Sequence, residues 1–222
     1  MALALLFDLD GTLLETDPLH VAVFRELFAE RGREIDEAYY LERIHGRHNA
    51  DIFADEFPGE DPQAMSDEKE ARFRAKLGDS APPMAGLPAL LDRAEAAGWP
   101  IAVVTNAPRA NAEASLGAIG LRHRFETLII GDECARGKPD PEPYLAAMRA
   151  LGVAPGECLA FEDSPSGLRA ARASGAFTFG VTSSLSPAAL RDAGAQEVID
   201  DFTDDRLMRA LAARAADQGA DT

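Results

Sequence analysis

The chain has 222 residues, 46% of them hydrophobic, with two cysteines and a formal net charge of −16 at pH 7. That length holds one large domain or a domain with a smaller insert, and the apolar content is ample for a core. The charge argues against a nucleic-acid binder or a binder of anionic membranes, although a local basic pocket can still take one phosphate.

The chain opens on an apolar run, Leu3 to Phe7, succeeded at once by Asp8-Leu9-Asp10-Gly11-Thr12. A short apolar run ended by a turn signal reads as a buried strand of a parallel sheet. No basic segment precedes the run and Asp8 cuts it short, so a strand is expected here rather than a leader. Along an extended backbone Asp8 and Asp10 share a face, and Gly11 lets the chain turn away. Carboxylates that close repel one another, and a cation or a proton relieves the repulsion.

Residues 15–81 hold no convincing strand. The first helix is expected over Pro18–Arg31, capped by Asp17, with Leu19, Val23, Phe24, Leu27 and Phe28 on one face. Others are expected over Asp36–Ile44, Ala50–Phe57 and Asp61–Leu77; the last has the weak apolar content and mixed charges of a solvated face. A polar break, His45-Gly46-Arg47-His48-Asn49, separates the second from the third.

Pro82-Pro83 and Gly86 mark a boundary, after which strands and helices alternate. Helices are expected over Pro88–Ala97, Pro108–Ile119 and Pro141–Leu151, the last capped by Asp140; two more start at Ser164-Pro165 and Ser186-Pro187. Strands are expected over Pro100–Thr105, Thr127–Ile130, Cys158–Phe161, Phe177–Val181 and Glu197–Ile199. Such alternation implies parallel pairing through right-handed crossovers. The expected fold is α/β, a Rossmann-like parallel sheet with helices on both faces. Residues 1–14 and 82–222 form this core, and 15–81 are a helical insertion after the first strand. The Ala-, Asp- and Gly-containing tail after Leu211 is expected to fray.

The chemistry-bearing residues gather at the carboxyl ends of the strands. Asp8 and Asp10 come after the first, Thr105 and Asn106 end the second, Lys138-Pro139 lies beyond the third, and Glu162-Asp163-Ser164 come after the fourth. In a parallel sheet these positions share one edge. Taken singly they also suit a strand-to-helix turn, an exposed loop charge and a helix cap. Together they are the parts for a hard cation and a phosphoryl group. Mg²⁺ takes oxygen ligands, and a lysine offers a point charge to phosphate oxygens. Lys138 is one of only three lysines, with Lys69 and Lys76.

These motifs, Asp8-Leu9-Asp10-Gly11-Thr12, Val104-Thr105-Asn106, Gly137-Lys138-Pro139-Asp140-Pro141 and Phe161-Glu162-Asp163-Ser164, resemble those of the haloacid dehalogenase superfamily of phosphohydrolases. The Glu-Asp-Ser form resembles the phosphoglycolate phosphatase, sugar-phosphate phosphatase and β-phosphoglucomutase branch, and residues 15–81 resemble that family's α-helical cap. The resemblance implies that Asp8 attacks phosphorus to form an aspartyl-phosphate, and that Asp10 protonates the leaving oxygen and then takes a proton from water. The acid role calls for a raised Asp10 pKa, which crowding among carboxylates would supply. It further implies Mg²⁺ held by the carboxylates of Asp8 and Asp163, with the Asp10 main-chain carbonyl and Glu162 beside them. Lys138 and Thr105 would bind phosphoryl oxygens, with Asn106 next to them.

His20, His45, Gly46 and Arg47 are the expected readers of the substrate from the cap. β-Phosphoglucomutases carry a lysine where His45 stands, an arginine where Asn49 stands and a serine-rich second motif; these departures favour simple hydrolysis over a mutase. A phosphate-accepting signalling receiver is disfavoured by the helical insertion and by the adjacency of Asp8 and Asp10. The expected protein is a cytoplasmic phosphatase of a small phosphorylated metabolite, without nucleic-acid or membrane partners. Monomer and weak dimer are both compatible with the sequence.

Overall fold

The computed structural model describes residues 3–45 and 47–219, with side chains described to residue 214. Strands β1 (Ala4–Phe7), β2 (Ile101–Thr105), β3 (Thr127–Ile130), β4 (Cys158–Glu162), β5 (Phe177–Val181) and β6 (Glu197–Ile199) form one sheet. Its order is β3-β2-β1-β4-β5-β6, with every pairing parallel. The chain therefore winds outward in opposite directions from β1 and β4. Their carboxyl ends flank the topological switch point, where ligands bind in open α/β sheets.

The alternation along β1 explains the two-sided burial. Leu5 and Phe7 enter one core with Val103, Leu159, Phe161 and Phe179. Ala4 and Leu6 enter the other with Ala102, Val104 and Ala160. Small residues on this second face let α7 (Glu142–Leu151) and α8 (Pro165–Ala173) approach closely, through Tyr144, Ala147, Ala170 and Ala171. The first face is covered by α5 (Leu87–Ala96) and α10 (Asp205–Gly219), through Leu90, Leu91, Leu207 and Leu211. Phe7 stacks on Phe161 at 5.0 Å and Phe161 on Phe179 at 5.3 Å, so the strand positions just before Asp8 and Glu162 stand on a rigid aromatic floor. Helices α6 (Arg109–Ala118) and α9 (Pro187–Ala193) complete the alternation.

Between β1 and α5 lie α1 (Asp17–Glu30), α2 (Glu37–Arg43), α3 (Asn49–Glu56) and α4 (Pro62–Leu77). The expected elements are present, most with ends displaced by a residue. Asp17 is the first residue of α1 instead of its cap; Thr16 holds the cap position without a side-chain bond, and Pro18 supplies the fixed φ of the first turn. Pro141 holds the cap position of α7, and Asp140, expected there, stands one residue earlier and accepts the Glu142 N–H at 3.0 Å. The segment after Leu211, expected to fray, continues as helix to Gly219, as its Ala-rich composition favours.

The largest difference concerns α4. It buries Met65, Lys69, Glu70, Phe73 and Leu77. This face was obscured because two of its members are charged. Lys69 and Glu70 pair at 2.9 Å, which offsets the cost of removing each from water. Among the described residues no helix is long and apolar enough to cross a membrane.

Candidate active site

Asp8 directly succeeds β1, where its N–H donates to Phe161 O at 2.9 Å, extending the β1–β4 ladder. Glu162 ends β4 and Asp163 is the next residue, so the register Phe7↔Phe161 sets these acids side by side. Lys138 reaches in from the loop after β3. Its Nζ donates to Asp8 Oδ1 at 2.6 Å, Glu162 Oε1 at 2.5 Å and Val104 O at 2.6 Å, which uses all three of its hydrogens. Asn106 braces that loop from both sides, donating to Lys138 O and accepting from Lys138 N, each at 3.1 Å. Its carboxamide is thus engaged with backbone. The Thr105 hydroxyl accepts from Ala107 N–H at 2.9 Å and keeps its own hydrogen to donate.

Two glycines make room for the acids. A Cβ on Gly11 would stand 2.0 Å from Asp163 Oδ2, and one on Gly167 1.9 Å from Glu162 Oε1. Gly11 also has φ +73°, which a side chain would strain. Glu162 is fully buried, lies behind Lys138, and also accepts from Tyr144 Oη at 2.8 Å. That geometry makes it a holder of the lysine.

The electrostatics stem from burial. Asp8, Glu162 and Asp163 set three carboxylates against the single ammonium of Lys138, all nearly inaccessible. Burial raises the Asp8 carboxyl well above the ordinary carboxylate range; Lys138 opposes the rise only in part, and Glu162 and Asp10 add to it. Asp163 is raised by burial and then by the Asp8 and Glu162 charges. Burial disfavours the Lys138 ammonium, but Asp8 and Glu162 outweigh it and keep the lysine charged. One oxygen each from Asp8, Glu162 and Asp163 lies within 4.8 Å of the others. All-oxygen donors with two uncompensated negative charges fit a hard divalent cation.

Asp10 behaves differently from its neighbours, and not as carboxylate crowding suggests. Burial pushes its carboxyl up, but His20, Thr16 and Lys69 outweigh burial and hold it below the usual range. His20 Nε2 stands 3.8 Å from Asp10 Oδ1, while its Nδ1 accepts from Lys69 Nζ at 2.9 Å, which leaves the ring proton on the nitrogen facing Asp10. The imidazole stacks on Phe73, with centroids 4.4 Å apart.

A cavity of about 900 Å³ opens over the cluster. Asp8, Asp10, Thr105, Asn106, Lys138 and Asp163 line it from the sheet edge, with His20, His45 and Arg47 from the α1–α4 side. His45 Nε2 lies 3.8 Å from Asp17 Oδ2, and these two with Asp163 form a second cluster able to hold a cation. The Arg47 guanidinium is drawn to Asp55 at 2.5 Å and to Arg43 O at 3.1 Å. Gly46 lies outside the described residues. Sequence patterns missed Lys69, Glu70, Arg74 and Asn111, which also line the cavity, and Tyr144 beneath it. Lys69 had one signal, the scarcity of lysine; Asn111 had none.

Fold and site together define a doubly wound α/β protein with buried carboxylates and one lysine gathered at the switch point. The sequence model of the haloacid dehalogenase-like hydrolases matches residues 3–175, and the chain belongs to that family, as its motifs imply. It is 34% identical to the validoxylamine A 7'-phosphate phosphatase of Streptomyces hygroscopicus subsp. limoneus, over 85% of this chain and 89% of that one. It is 36% identical to the phosphoglycolate phosphatase of Xylella fastidiosa strain 9a5c, over 77% of this chain and 76% of that one. The crystal structure of a D10N mutant of CbbY from Rhodobacter sphaeroides, in complex with xylulose-(1,5)bisphosphate, superposes with a TM-score of 0.78. It is 31% identical and covers 91% of this chain and 95% of that chain.

Proposed function

We propose that the protein is a Mg²⁺-dependent phosphomonoesterase that releases phosphate from a small phosphorylated metabolite, of the sugar-phosphate or phosphoglycolate type, through a phosphorylated Asp8. The observation that carries this is the buried Asp8–Lys138–Glu162–Asp163 cluster, two negative charges in excess, facing a cavity at the switch point. The phosphatase names of the relatives support it. Mg²⁺, held by Asp8 and Asp163, would supply charge neutralisation for the phosphoryl oxygens.

Lys138 occupies Asp8 Oδ1 and orients the carboxylate, leaving Oδ2 as the attacking oxygen. Asp8 forms a bond to phosphorus as the bond from phosphorus to the ester oxygen breaks, and that oxygen takes a proton from Asp10. Water then attacks the phosphoryl group, gives its proton to Asp10, and frees Asp8 and phosphate. In the substrate-free enzyme Asp10 is held low and suited to the base step. The negative phosphoryl group raises its proton affinity on arrival, which prepares the acid step. Thr105 donates its free hydroxyl hydrogen to a phosphoryl oxygen, and Lys138 contributes its fixed charge. Residues 15–81 act as the lid that excludes water and reads the leaving group.

Phosphate release from a panel of phosphorylated metabolites, with Mg²⁺ and with EDTA, tests this. Wild type is expected to turn over only with the metal and Asp8→Asn not at all. Substantial Mg²⁺-dependent activity in Asp8→Asn would refute the assignment.

A further inference from the structure

The cavity wall formed by α3, α4 and α6 carries a polar unit centred on Glu70, a residue that the proposed chemistry does not use. Glu70 is 7% exposed, and both of its oxygens accept hydrogen bonds. Oε1 takes Asn49 Nδ2 at 2.5 Å and Lys69 Nζ at 2.9 Å, while Oε2 takes Asn111 Nδ2. Asn111, 2% exposed, accepts in turn from Arg74 at 2.6 Å. All five side chains line the cavity. A buried carboxylate and two carboxamides cost free energy that apolar residues of the same shape would not. Their presence in a ligand cavity points to a ligand that hydrogen-bonds. The unit offers chiefly oxygen acceptors, the Glu70 carboxylate and the Asn49 carbonyl, which suit hydroxyl hydrogens.

The charges narrow the ligand further. Eight carboxylates line the cavity against four lysines and arginines. Lys138 is paired with Asp8 and Glu162, Lys69 with Glu70, and Arg47 with Asp55. Arg74 is bonded to Asn111, the same side chain that holds Glu70. A second anionic group on the substrate would meet a negative wall whose cations are already engaged.

We infer that the leaving group is neutral and rich in hydroxyls, so that the substrate is a sugar or polyol monophosphate. Glu70, braced by Asn49 and Asn111, selects it over carboxylate-bearing phosphates and bisphosphates. This rests on the phosphomonoesterase assignment and deepens it. A ligand site built around hydroxyl contacts rejects compounds that leave its polar groups unpaired.

The test compares kcat/KM with Mg²⁺ for neutral pentose, hexose and hexitol monophosphates, 2-phosphoglycolate, sugar bisphosphates and p-nitrophenyl phosphate. The best neutral monophosphate is expected to exceed 2-phosphoglycolate and every bisphosphate at least tenfold. Glu70→Gln is expected to shrink that ratio at least tenfold, chiefly through KM on the neutral substrate. Asn49→Ala, at the half-buried start of α3, is the second variant if Glu70→Gln does not fold. Preference for 2-phosphoglycolate or a bisphosphate, with loss of that preference in Arg74→Met, would overturn the inference. So would an unchanged ratio in folded Glu70→Gln or Asn49→Ala. Hydrolysis of p-nitrophenyl phosphate without a preference for neutral substrates would sink the inference alone. Absence of release from every compound would remove the phosphatase assignment with it.

Discussion

Lys138→Met removes the ammonium that pairs with the buried carboxylates of Asp8 and Glu162 while keeping most of the aliphatic stem. The wild-type Nζ lies 2.6 Å from Asp8 and 2.5 Å from Glu162, and the residue is 5% exposed. Deleting one partner of a buried ion pair costs about 3–5 kcal/mol, because the remaining charge is left uncompensated. A native domain has about 5–15 kcal/mol in all, so the loss is a large share of it. With a urea slope of about 2 kcal/mol per M, the midpoint should fall by roughly 2 M at pH 8 without metal. Saturating Mg²⁺ should recover part of that, since a divalent cation supplies positive charge to the same carboxylates. Activity should drop as well, by about 10²–10³ in kcat/KM, the cost of one transition-state charge donor. An unchanged urea midpoint in metal-free buffer at pH 8 would refute the reasoning, since it would mean that the acids need no counter-charge from Lys138.

The metal-free protein should melt higher at pH 5 than at pH 8. Asp8 and Asp163 have folded-state pKa values raised by burial, so stability is full below their unfolded value of about 3.9 and declines as pH rises through the folded values. Mg²⁺ should flatten this slope, and a flat melting profile without metal would contradict it. Gly167→Ala should lower the melting temperature and cut kcat at least tenfold. An alanine inside a helix ordinarily gains about 1 kcal/mol over glycine, but here its Cβ falls 1.9 Å from Glu162 Oε1 and overpacking costs about 1–3 kcal/mol. A rise in melting temperature would refute the crowding argument. Lys69→Met should move the acidic limb of the kcat/KM profile to higher pH, because Asp10 loses part of what holds its carboxyl low; a limb that stays in place would remove Lys69 from that role.

Much of this enzyme is visible in one dimension for a local reason. Strand and helix periodicity, a glycine just after most helices and a proline near the start of most of them depend on neighbours in the chain, and they place Asp8, Thr105 and Asp163 at strand ends and Lys138 in the loop beyond β3. Parallel pairing then brings those ends to one edge, so the carboxylate–lysine cluster could be anticipated from order alone. The α4 face could not. Its Lys69 and Glu70 read as solvated charges until Asn49, Asn111 and His20, up to 49 residues away in sequence, supply their partners. Asn106 likewise sat beside the phosphate site by position, while its carboxamide in fact grips the backbone of Lys138 across 32 residues.

The sequence by itself determined the parallel α/β core, the family and the acids at its edge, because each of these depends on residue type and short-range spacing. Only the tertiary structure decided how the proton affinities of those acids differ. Asp8 and Asp163 are crowded by Glu162 in a buried pocket and raised, whereas Asp10, two residues from Asp8, is turned toward His20 and Lys69 and lowered. Proton affinity is set by the charges within a few ångströms and by exclusion of water. Those neighbours come from separate elements, His20 from α1, Lys69 from α4 and Glu162 from the end of β4, and no local pattern records their meeting.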